Sequence, residues 1–209
     1  MLNKLLNKFE LSWKGQSNQL DLYLEKVMSF EGQISQAEAQ KLIELAQSTQ
    51  PNTVIVEIGT YRGRSAIALA FGSLLGKHNR VYAIDPHIEF QGIFGGQFGI
   101  QDQAELYQNI VKSGVGHIVA VISLHSVEAA KSWSARNVGL LWVDGDHHYK
   151  AVRQDYEAWC PFLIDGGIIA FHDSSTPGVT QLIDELVGEG KILPLEEVES
   201  LYCFKWVGR

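Results

Sequence analysis

The sequence contains little cysteine, which excludes two ways of stabilising a small fold. Cys160 and Cys203 are the only cysteines among 209 residues, so a disulfide framework and a cysteine-rich zinc site are both excluded. Each cysteine stands beside an aromatic residue, Trp159 or Phe204, and we predict that both thiols are buried as small hydrophobic groups. Such scarcity of cysteine is typical of a reducing compartment, and we predict a cytoplasmic protein.

Positive charge and long apolar runs are also scarce. The 17 Lys and Arg residues against 24 Asp and Glu give a net charge of −7, and an acidic surface repels phosphate backbones. We therefore predict no nucleic-acid partner. The sequence has no run of about 18 uncharged apolar residues that could span a bilayer. Residues 1–10 lack the apolar core of a signal peptide, and we predict no association with a membrane.

After Pro51, short β-branched runs alternate with helical patterns. Strands are predicted over residues 54–58, 80–85, 118–122, 138–144 and 167–173, and helices over residues 65–75, 105–112, 127–133, 149–162 and 179–188. This alternation predicts an α/β fold with a Rossmann-like, doubly wound, mostly parallel sheet. Two further strands, residues 191–198 and 201–207, are separated by only Glu199 and Ser200. Because so short a connection cannot cross over, they predict a C-terminal antiparallel hairpin that completes a seven-stranded sheet.

The N-terminal quarter of the chain has helical patterns. Leucines over residues 20–27 predict a first helix, and Ser35 with Glu38 three residues later is a capping box that begins a second. We therefore divide the chain into an N-terminal helical extension, residues 1–50, and a ligand-binding sheet domain, residues 51–209. The extension is predicted to wall the binding pocket or to form the surface of a homodimer.

The ends of the predicted strands hold residues suited to a nucleoside. The first strand continues into Gly59 and Gly63, which allow a tight turn that a ligand can approach. The loop lacks the G-x-G-x-x-G pattern of dinucleotide folds and the Lys of a P-loop, so it suits a nucleoside better than a pyrophosphate. Asp85 ends the second strand, where an acid can accept hydrogen bonds from both ribose hydroxyls. Alternatively, the glycines are only turn residues and Asp85 is a solvated strand end.

Two pairs of segments resemble a known family. The first pair is VEIGTYRGRS (56–65) with VYAID (81–85), which resembles the cofactor half of class I S-adenosylmethionine-dependent methyltransferases. The second is WVDGDHHY (142–149) with GGIIAFHD (166–173), with Asp155 between them, which resembles the small-molecule O-methyltransferase branch whose members use a divalent metal. The resemblance covers roughly residues 30–207. It implies S-adenosylmethionine as cofactor and methyl transfer to a hydroxyl of a small-molecule acceptor.

The resemblance also implies roles for the matching residues of the cofactor half. Glu57 would meet the amino group of the methionine moiety, directly or through water. Asp85 would hold the ribose. The other implied cofactor contacts are Gly59, Tyr61, Gly63 and Ser65 around the glycine loop, and Ser123, His125 and Ser126 after the third strand, where the family contacts adenine.

Asp144 and Asp173 end the fourth and fifth strands, so we expect their carboxylates to meet at one edge of the sheet. Converging carboxylates repel unless a cation, a proton or a basic partner sits between them, and oxygen ligands suit Mg²⁺ or Ca²⁺. Metal-binding relatives often have an acid where this chain has His172, and an imidazole shifts the preference toward Mn²⁺, Fe²⁺ or Zn²⁺. We predict a divalent cation, Mg²⁺, Ca²⁺ or Mn²⁺, at Asp144, His172 and Asp173. Alternatively, His172 turns away, or the carboxylates bind loop amides or substrate without an ion.

His147 follows Asp144 by three residues, where the resembling enzymes place a general base. The resemblance implies His147 and Asp144 as the catalytic residues, since an imidazole can take the proton of an acceptor hydroxyl near neutral pH. Alternatively, His147 caps the next helix or orients Asp144. We predict that Asp146 orients His147 or the helix start, and that His148 lies at the surface or the rim of the site.

Residues 86–102 form an insertion after the ribose strand that contains three phenylalanines and four glycines. Loops of this length are commonly lids or binding segments, so we predict an apolar flap that closes over the acceptor. Alternatively, it is a surface loop with packed aromatic side chains. Two other functions stay open: a non-enzymatic module that binds S-adenosylmethionine, and a methyltransferase that acts on a non-hydroxyl acceptor.

Overall fold

The computed structural model describes residues 19–134 and 137–208, in which helices surround a central sheet. Residues 19–28 belong to α1, and the later helices are α2 (Gln36–Ser48), α3 (Arg64–Leu75), α4 (Ile100–Ser113), α5 (Ser126–Lys131), α6 (Tyr149–Trp159) and α7 (Pro177–Gly188). A 3₁₀ turn, Cys160–Phe162, follows α6 because Pro161 cannot continue the helix. Within the described ranges no helix is long and apolar enough to cross a bilayer.

The residues that the structure describes contain nine strands, which form one large sheet and one small hairpin. They are β1 (Val54–Ile58), β2 (Arg80–Ile84), β3 (Phe90–Gln91), β4 (Gln97–Phe98), β5 (Val119–Ile122), β6 (Val138–Val143), β7 (Leu163–Phe171), β8 (Ile192–Val198) and β9 (Leu201–Trp206). The large sheet has seven strands in the order β5-β2-β1-β6-β7-β9-β8. The first five are parallel, and β9 is antiparallel to both β7 and β8. The predicted fold class, including the C-terminal hairpin, is confirmed.

Two apolar layers hold the helices on the sheet. One face packs against α1, α2, α3 and α4, and the opposite face packs against α5, α6 and α7. Every residue of β6 is buried, as expected for a central strand covered on both faces. Trp142 and Trp159, one in each layer, are fully buried, and burying side chains of this kind stabilises the fold by roughly 1.5–3 kcal/mol each.

Several predicted boundaries differ from the structure. α4 begins at Ile100 instead of residue 105, because the Asp102 carboxylate accepts a hydrogen bond from Gly99 N (2.8 Å) and satisfies the start of the helix. β7 begins at Leu163 instead of residue 167. The strand continues through Gly166, which takes a φ of +74°. Cys203 is buried as predicted, but the prediction for Cys160 was wrong: it begins the 3₁₀ turn and is only half-buried.

The capping box of α2 is confirmed, with both Ser35 and Glu38 in their expected roles. α2 packs against α3, so the described part of the N-terminal extension lies on the sheet domain. The division at residue 50 stays a prediction.

The chain leaves β1 toward β2 and returns through β6, so the switch point of the sheet lies between β1 and β6. Ligands of doubly wound folds bind at the carboxyl ends of such strands.

Candidate active site

A cavity of about 560 Å³ opens at the carboxyl ends of β1, β2 and β6. Residues 32–34 form part of its wall, which is one of the two roles predicted for the N-terminal extension. The cavity brings together most of the predicted site residues: Gly59, Tyr61, Ser65, Asp85, His125, Ser126, Asp144 and His147. The lining does not include five others: Glu57, Gly63, Ser123, His172 and Asp173.

The carboxylate of Asp85 holds the β1–α3 loop in shape. Its Oδ2 accepts backbone hydrogen bonds from Thr60 (3.1 Å) and Tyr61 (3.0 Å), and its Oδ1 accepts one from the backbone of His87 (2.8 Å). Tyr61 takes a φ of +47°, a left-handed conformation that is uncommon for a residue with a side chain. Asp85 therefore both fixes the loop and lines the cavity, where it was predicted to hold a ribose.

Gly59 allows the glycine loop to contact the end of β6. It has a φ of +83°, and a Cβ atom at this position would overlap the carbonyl oxygen of Asp144. Gly63 is the N-cap residue of α3, behind the lining, and Ser65 follows in the first turn. The glycine loop and the strand that ends in Asp144 are thus in direct backbone contact.

His87 is a buried residue of the site that the sequence analysis did not identify. Its Nδ1 lies 3.1 Å from the carbonyl oxygen of Asp85, and its Nε2 lies 2.9 Å from the carbonyl oxygen of Tyr61. The ring therefore joins the end of β2 to the glycine loop. Nothing in the sequence distinguishes His87 from the other polar residues of the insertion.

Glu57 is fully buried at the end of β1. Neither of its carboxylate oxygens, nor the nearby hydroxyl of Thr60, has a hydrogen-bond partner within the described residues. Burial raises the pKa of the Glu57 carboxyl to about 8. A buried carboxyl without a partner is costly, so these atoms fit the charged amino group of a ligand.

The start of α5 forms another part of the wall, through His125 and Ser126. Ser123 lies outside the lining, where its hydroxyl accepts a hydrogen bond from Gln103 (2.7 Å), and its adenine contact stays a prediction. Asp155 of α6 was missed as a residue of this wall. Its Oδ1 accepts a hydrogen bond from the Ser126 hydroxyl, and burial raises its pKa to about 6. The sequence analysis included Asp155 only in the family resemblance, and the signal for its burial was an acid on the helix face that holds the buried Val152, Tyr156 and Trp159.

Four titratable side chains meet where β6 and β7 end. Donor or acceptor atoms of Asp144, His147, His172 and Asp173 all lie within 4.8 Å of one another. His147 Nε2 is 3.6 Å from Asp144 Oδ1 and 3.4 Å from Asp173 Oδ2. This nitrogen is buried and has no hydrogen-bond partner within the described residues. The two carboxylates predicted to converge are therefore brought together, with an imidazole between them.

His172 is buried behind this group, and both of its ring nitrogens have partners. Nδ1 lies 3.0 Å from Asp144 Oδ1, while Nε2 lies 3.1 Å from the Ser200 hydroxyl and 3.3 Å from Glu38 Oε1. Burial opposes the charged imidazolium, but Asp144 and Glu38 outweigh burial and hold the pKa of His172 well above its usual value. In the same way His172 lowers the pKa of Asp144 against the effect of burial.

Asp146 contacts the start of α6, one of the two partners that the sequence predicted for it, and does so through His148. Asp146 Oδ1 accepts a hydrogen bond from the backbone of His148 (3.0 Å), the N-cap residue of α6, and lies 2.6 Å from His148 Nδ1. The alternative in which His147 caps α6 is therefore wrong. His148 is exposed, as predicted. Gly178 at the start of α7 packs so closely on this turn that a Cβ atom would overlap the backbone of His147.

The predicted flap contains the β3–β4 hairpin, whose aromatic side chains flank the cavity. Phe98 contacts Tyr61 edge to face, with ring centroids 5.2 Å apart, and Phe94 lies 6.3 Å from the ring of His147. Phe94 is nevertheless 72% exposed. Just after the hairpin, in the first turn of α4, Asp102 Oδ1 accepts a hydrogen bond from Arg62 Nε (2.8 Å). The apolar hairpin thus lies on the His147 side of the cavity, and its movement stays a prediction.

Residues 56–174, more than half of the chain, match the family described as methyltransferase domain. The chain belongs to this methyltransferase family. This match confirms the resemblance of the sequence to class I, S-adenosylmethionine-dependent methyltransferases.

Two curated relatives of this methyltransferase are uncharacterised proteins. One, from Sinorhizobium fredii, is 29% identical over 128 residues, which are 57% of this chain and 13% of the relative. Another, from Acanthamoeba polyphaga mimivirus, is 26% identical over 156 residues, 71% of this chain and 66% of the relative. The chain therefore spans less than two thirds of the length of these relatives.

Solved structures of other methyltransferases share the fold. A methyltransferase of Podospora anserina bound to S-adenosylhomocysteine has a TM-score of 0.67 at 16% identity, with 97% of this chain and 96% of the other covered. The O-methyltransferase TomG of Streptomyces achromogenes, in complex with S-adenosylmethionine, has a TM-score of 0.63 at 16% identity over 91% and 90%. A putative rRNA methylase of Clostridium thermocellum has a TM-score of 0.60 at 16% identity over 84% and 100%. At these identities the likeness shows the fold.

Proposed function

We propose that this methyltransferase transfers a methyl group from S-adenosylmethionine to a hydroxyl of a small-molecule acceptor, with His147 as the general base. The observation that supports the proposal most directly is the buried, unpartnered Nε2 of His147 beside Asp144 and Asp173. An imidazole is the side chain that most often serves as a general base, and this one lies beside both carboxylates of the site.

The cavity suits S-adenosylmethionine in three separate places. Asp85 faces the ribose position, and His125 with Ser126 forms the adenine wall. Glu57 lies behind the lining at the end of β1, and its unpartnered oxygens offer an acceptor for the amino group directly or through water. Gly59, Tyr61, Gly63 and Ser65 shape the loop between the amino-group and ribose positions. Bound S-adenosylmethionine supplies an activated methyl group, whose bond to sulfur breaks as the bond to the acceptor oxygen forms. The chain contributes alignment of the two reactants and removal of the hydroxyl proton.

Asp144 and Asp173 also fit a divalent cation, since two carboxylates and an unpartnered imidazole lie within 4.8 Å of one another. Mg²⁺, Ca²⁺ or Mn²⁺ at these carboxylates would act as a Lewis acid on the acceptor hydroxyl. His172 becomes a third ligand only if its Nδ1 gives up Asp144, so that part of the metal prediction stays open to test. The base role of His147 requires that any bound cation is held by the carboxylates and not by Nε2, because a nitrogen that ligates a metal has no lone pair left for a proton.

A small, neutral acceptor is favoured over RNA. Arg64 is the one cation in the described lining of the cavity, and its guanidinium is used by the carbonyl oxygens of Phe30 and Ile34. The acceptor side instead presents Phe90, Ile93 and Phe94. A phosphate-rich acceptor would therefore find no free positive partner in the described lining, whereas an apolar ring would be covered.

The two free thiols fit a reducing cytoplasm.

Calorimetric titration of S-adenosylmethionine, followed by an acceptor screen, tests the proposal. Titration is carried out in chelator and again with Mg²⁺, Ca²⁺ or Mn²⁺. Labelled methyl transfer is then measured with simple diphenols, a flavonoid, a methyl glycoside, an aromatic amine and a short RNA. We expect binding of S-adenosylmethionine and transfer to hydroxyl probes. Asp144→Asn should remove any separate heat from the metal.

Two results would overturn the proposal, and they differ in what they leave standing. Methyl transfer to the amine or the RNA alone would replace the hydroxyl acceptor. Tight binding of S-adenosylmethionine without transfer to any probe would favour a non-enzymatic binding module.

A further inference from the structure

Glu38 lies outside the cavity and yet connects to its carboxylates. It belongs to the first turn of α2 and is 3% exposed. Its two oxygens have different partners. Oε2 accepts the backbone N–H of Ser35 (2.9 Å) and completes the capping box, whereas Oε1 accepts the backbone N–H of Ser200 (3.0 Å) and lies 3.3 Å from His172 Nε2.

A capping box requires only the first of these contacts, and a glutamine performs it as well as a glutamate. The second oxygen points instead to the turn between β8 and β9 and to the end of β7. Ser200 strengthens this contact, because its hydroxyl lies between Glu38 Oε1 and His172 Nε2. The buried carboxylate of Glu38 thus has His172 as a partner in addition to its role in the helix cap.

The ring of His172 transmits the contact to the cavity. Its Nδ1, on the other side of the ring from Glu38, lies 3.0 Å from Asp144 Oδ1. Its backbone N–H donates to Val143 O (3.0 Å), so the ring is held on both the backbone and the side-chain side. Asp144 lines the cavity, whereas Glu38 and His172 do not. A displacement of Glu38 would therefore reach the cavity through one imidazole.

We propose that Glu38 is a positioning residue of the methyl-transfer site, acting through His172 on the carboxylate of Asp144. The inference rests on the proposed function, in which Asp144 lies among the groups that surround the acceptor hydroxyl. It assigns the N-terminal extension a part in the chemistry besides that of a wall. Partners of this kind fix the orientation of the groups that they support, and their loss commonly costs 10- to 100-fold in activity.

Two variants separate positioning from helix capping. Glu38→Gln keeps an oxygen for the N–H of Ser35 and loses the carboxylate that faces His172. Ser35→Ala removes the hydroxyl that accepts the N–H of Glu38 (3.2 Å) and leaves the contact with His172 intact. With a hydroxyl acceptor from the screen, we expect Glu38→Gln to lower kcat 10- to 100-fold without a change in the KM for S-adenosylmethionine. Ser35→Ala should lower the melting temperature and keep kcat. Equal losses of kcat in the two variants would overturn the proposal.

Nuclear magnetic resonance of protein labelled with ¹⁵N-histidine gives a second readout that needs no acceptor. Nε2 of His172 reports the side that faces Glu38, and Nδ1 reports the side that faces Asp144. We expect both signals to shift in Glu38→Gln and neither to shift in Ser35→Ala. A shift of Nε2 alone would show that the contact stops at the ring, and the proposal would fail. If no hydroxyl probe is methylated, the proposed function fails, while these signals still decide whether Glu38 positions the Asp144 side of the ring.

Discussion

His147 Nε2 lies 3.4 Å from Asp173 Oδ2, buried and without a hydrogen bond in the described part of the chain. If this nitrogen takes the proton of the acceptor, His147→Gln should lower methyl transfer by about 10²- to 10⁴-fold. The affinity for S-adenosylmethionine should stay the same, because the ring lies on the acceptor side. Both are measured on one preparation, by labelled methyl transfer and calorimetry. His148→Gln is the matched control, since its ring is exposed and contacts Asp146. A rate for His147→Gln within threefold of the wild type would contradict the base role.

Asp85 is expected to control the affinity for S-adenosylmethionine. Its two oxygens accept the backbone N–H groups of Thr60, Tyr61 and His87, so Asp85→Asn replaces one acceptor with a donor and also removes the charge offered to the ribose. We expect the Kd to rise at least about tenfold, which corresponds to about 1.4 kcal/mol. Calorimetry measures it, with Asp184→Asn as control because Asp184 is exposed on α7 and outside the cavity lining. Unchanged affinity in Asp85→Asn would remove Asp85 from the cofactor site.

Much of this site could be predicted because its acids end apolar strands. Asp85, Asp144 and Asp173 each follow a β-branched or aromatic run, and the ends of neighbouring parallel strands meet at one edge of a sheet. The positions of these acids therefore follow from the order of the strands. The fold class followed from the same alternation, whereas the start of α4 depends on one side-chain contact of Asp102.

The residues that were missed depend on contacts between distant parts of the chain. Glu38 and Ser200 are 162 positions apart, and the capping box already gave Glu38 a sufficient local role. The two ring nitrogens of His87 lie beside backbone oxygens, and no residue pattern reveals such contacts. The sequence also allowed His172 to be a ligand or to turn away, since only the packing of α2 shows that its Nε2 has a partner.

Glu57 should make the cofactor-free protein less stable as the pH rises. Burial raises the pKa of its carboxyl from 4.5 to about 8 in the folded state. Below pH 4.5 both states hold the proton and the group has no effect on stability. Between pH 4.5 and about pH 8 the unfolded chain has lost the proton while the folded chain keeps it, so the free energy of unfolding falls as the pH rises. Above about pH 8 both states have lost the proton, and the free energy of unfolding stays at its lowered value.

Glu57→Gln tests this linkage because an amide has no proton to lose in that range. Melting temperatures of the cofactor-free proteins are compared between pH 5 and pH 8. We expect the wild type to lose on the order of 2 kcal/mol more than the variant, or roughly 4–8 °C for a chain of this size. The variant should also bind S-adenosylmethionine more weakly, since the negative charge that faces its amino group is gone. Parallel pH profiles for the two proteins would show that Glu57 ionises normally.

Phe94 is expected to contribute to acceptor binding and not to stability. Its ring is 72% exposed and lies 6.3 Å from that of His147, so truncation removes few contacts in the free protein and should change stability by less than about 0.5 kcal/mol. An acceptor ring held between Phe94 and His147 would bury this surface. Phe94→Ala should therefore raise the KM for a hydroxyl acceptor by roughly 3- to 30-fold, the cost of about 1–2 kcal/mol of apolar contact. Val111→Ala is the control, because Val111 is 78% exposed on α4 and outside the cavity lining. If both variants keep the wild-type KM, the hairpin does not cover the acceptor, and the apolar flap would be a surface loop with packed aromatic side chains.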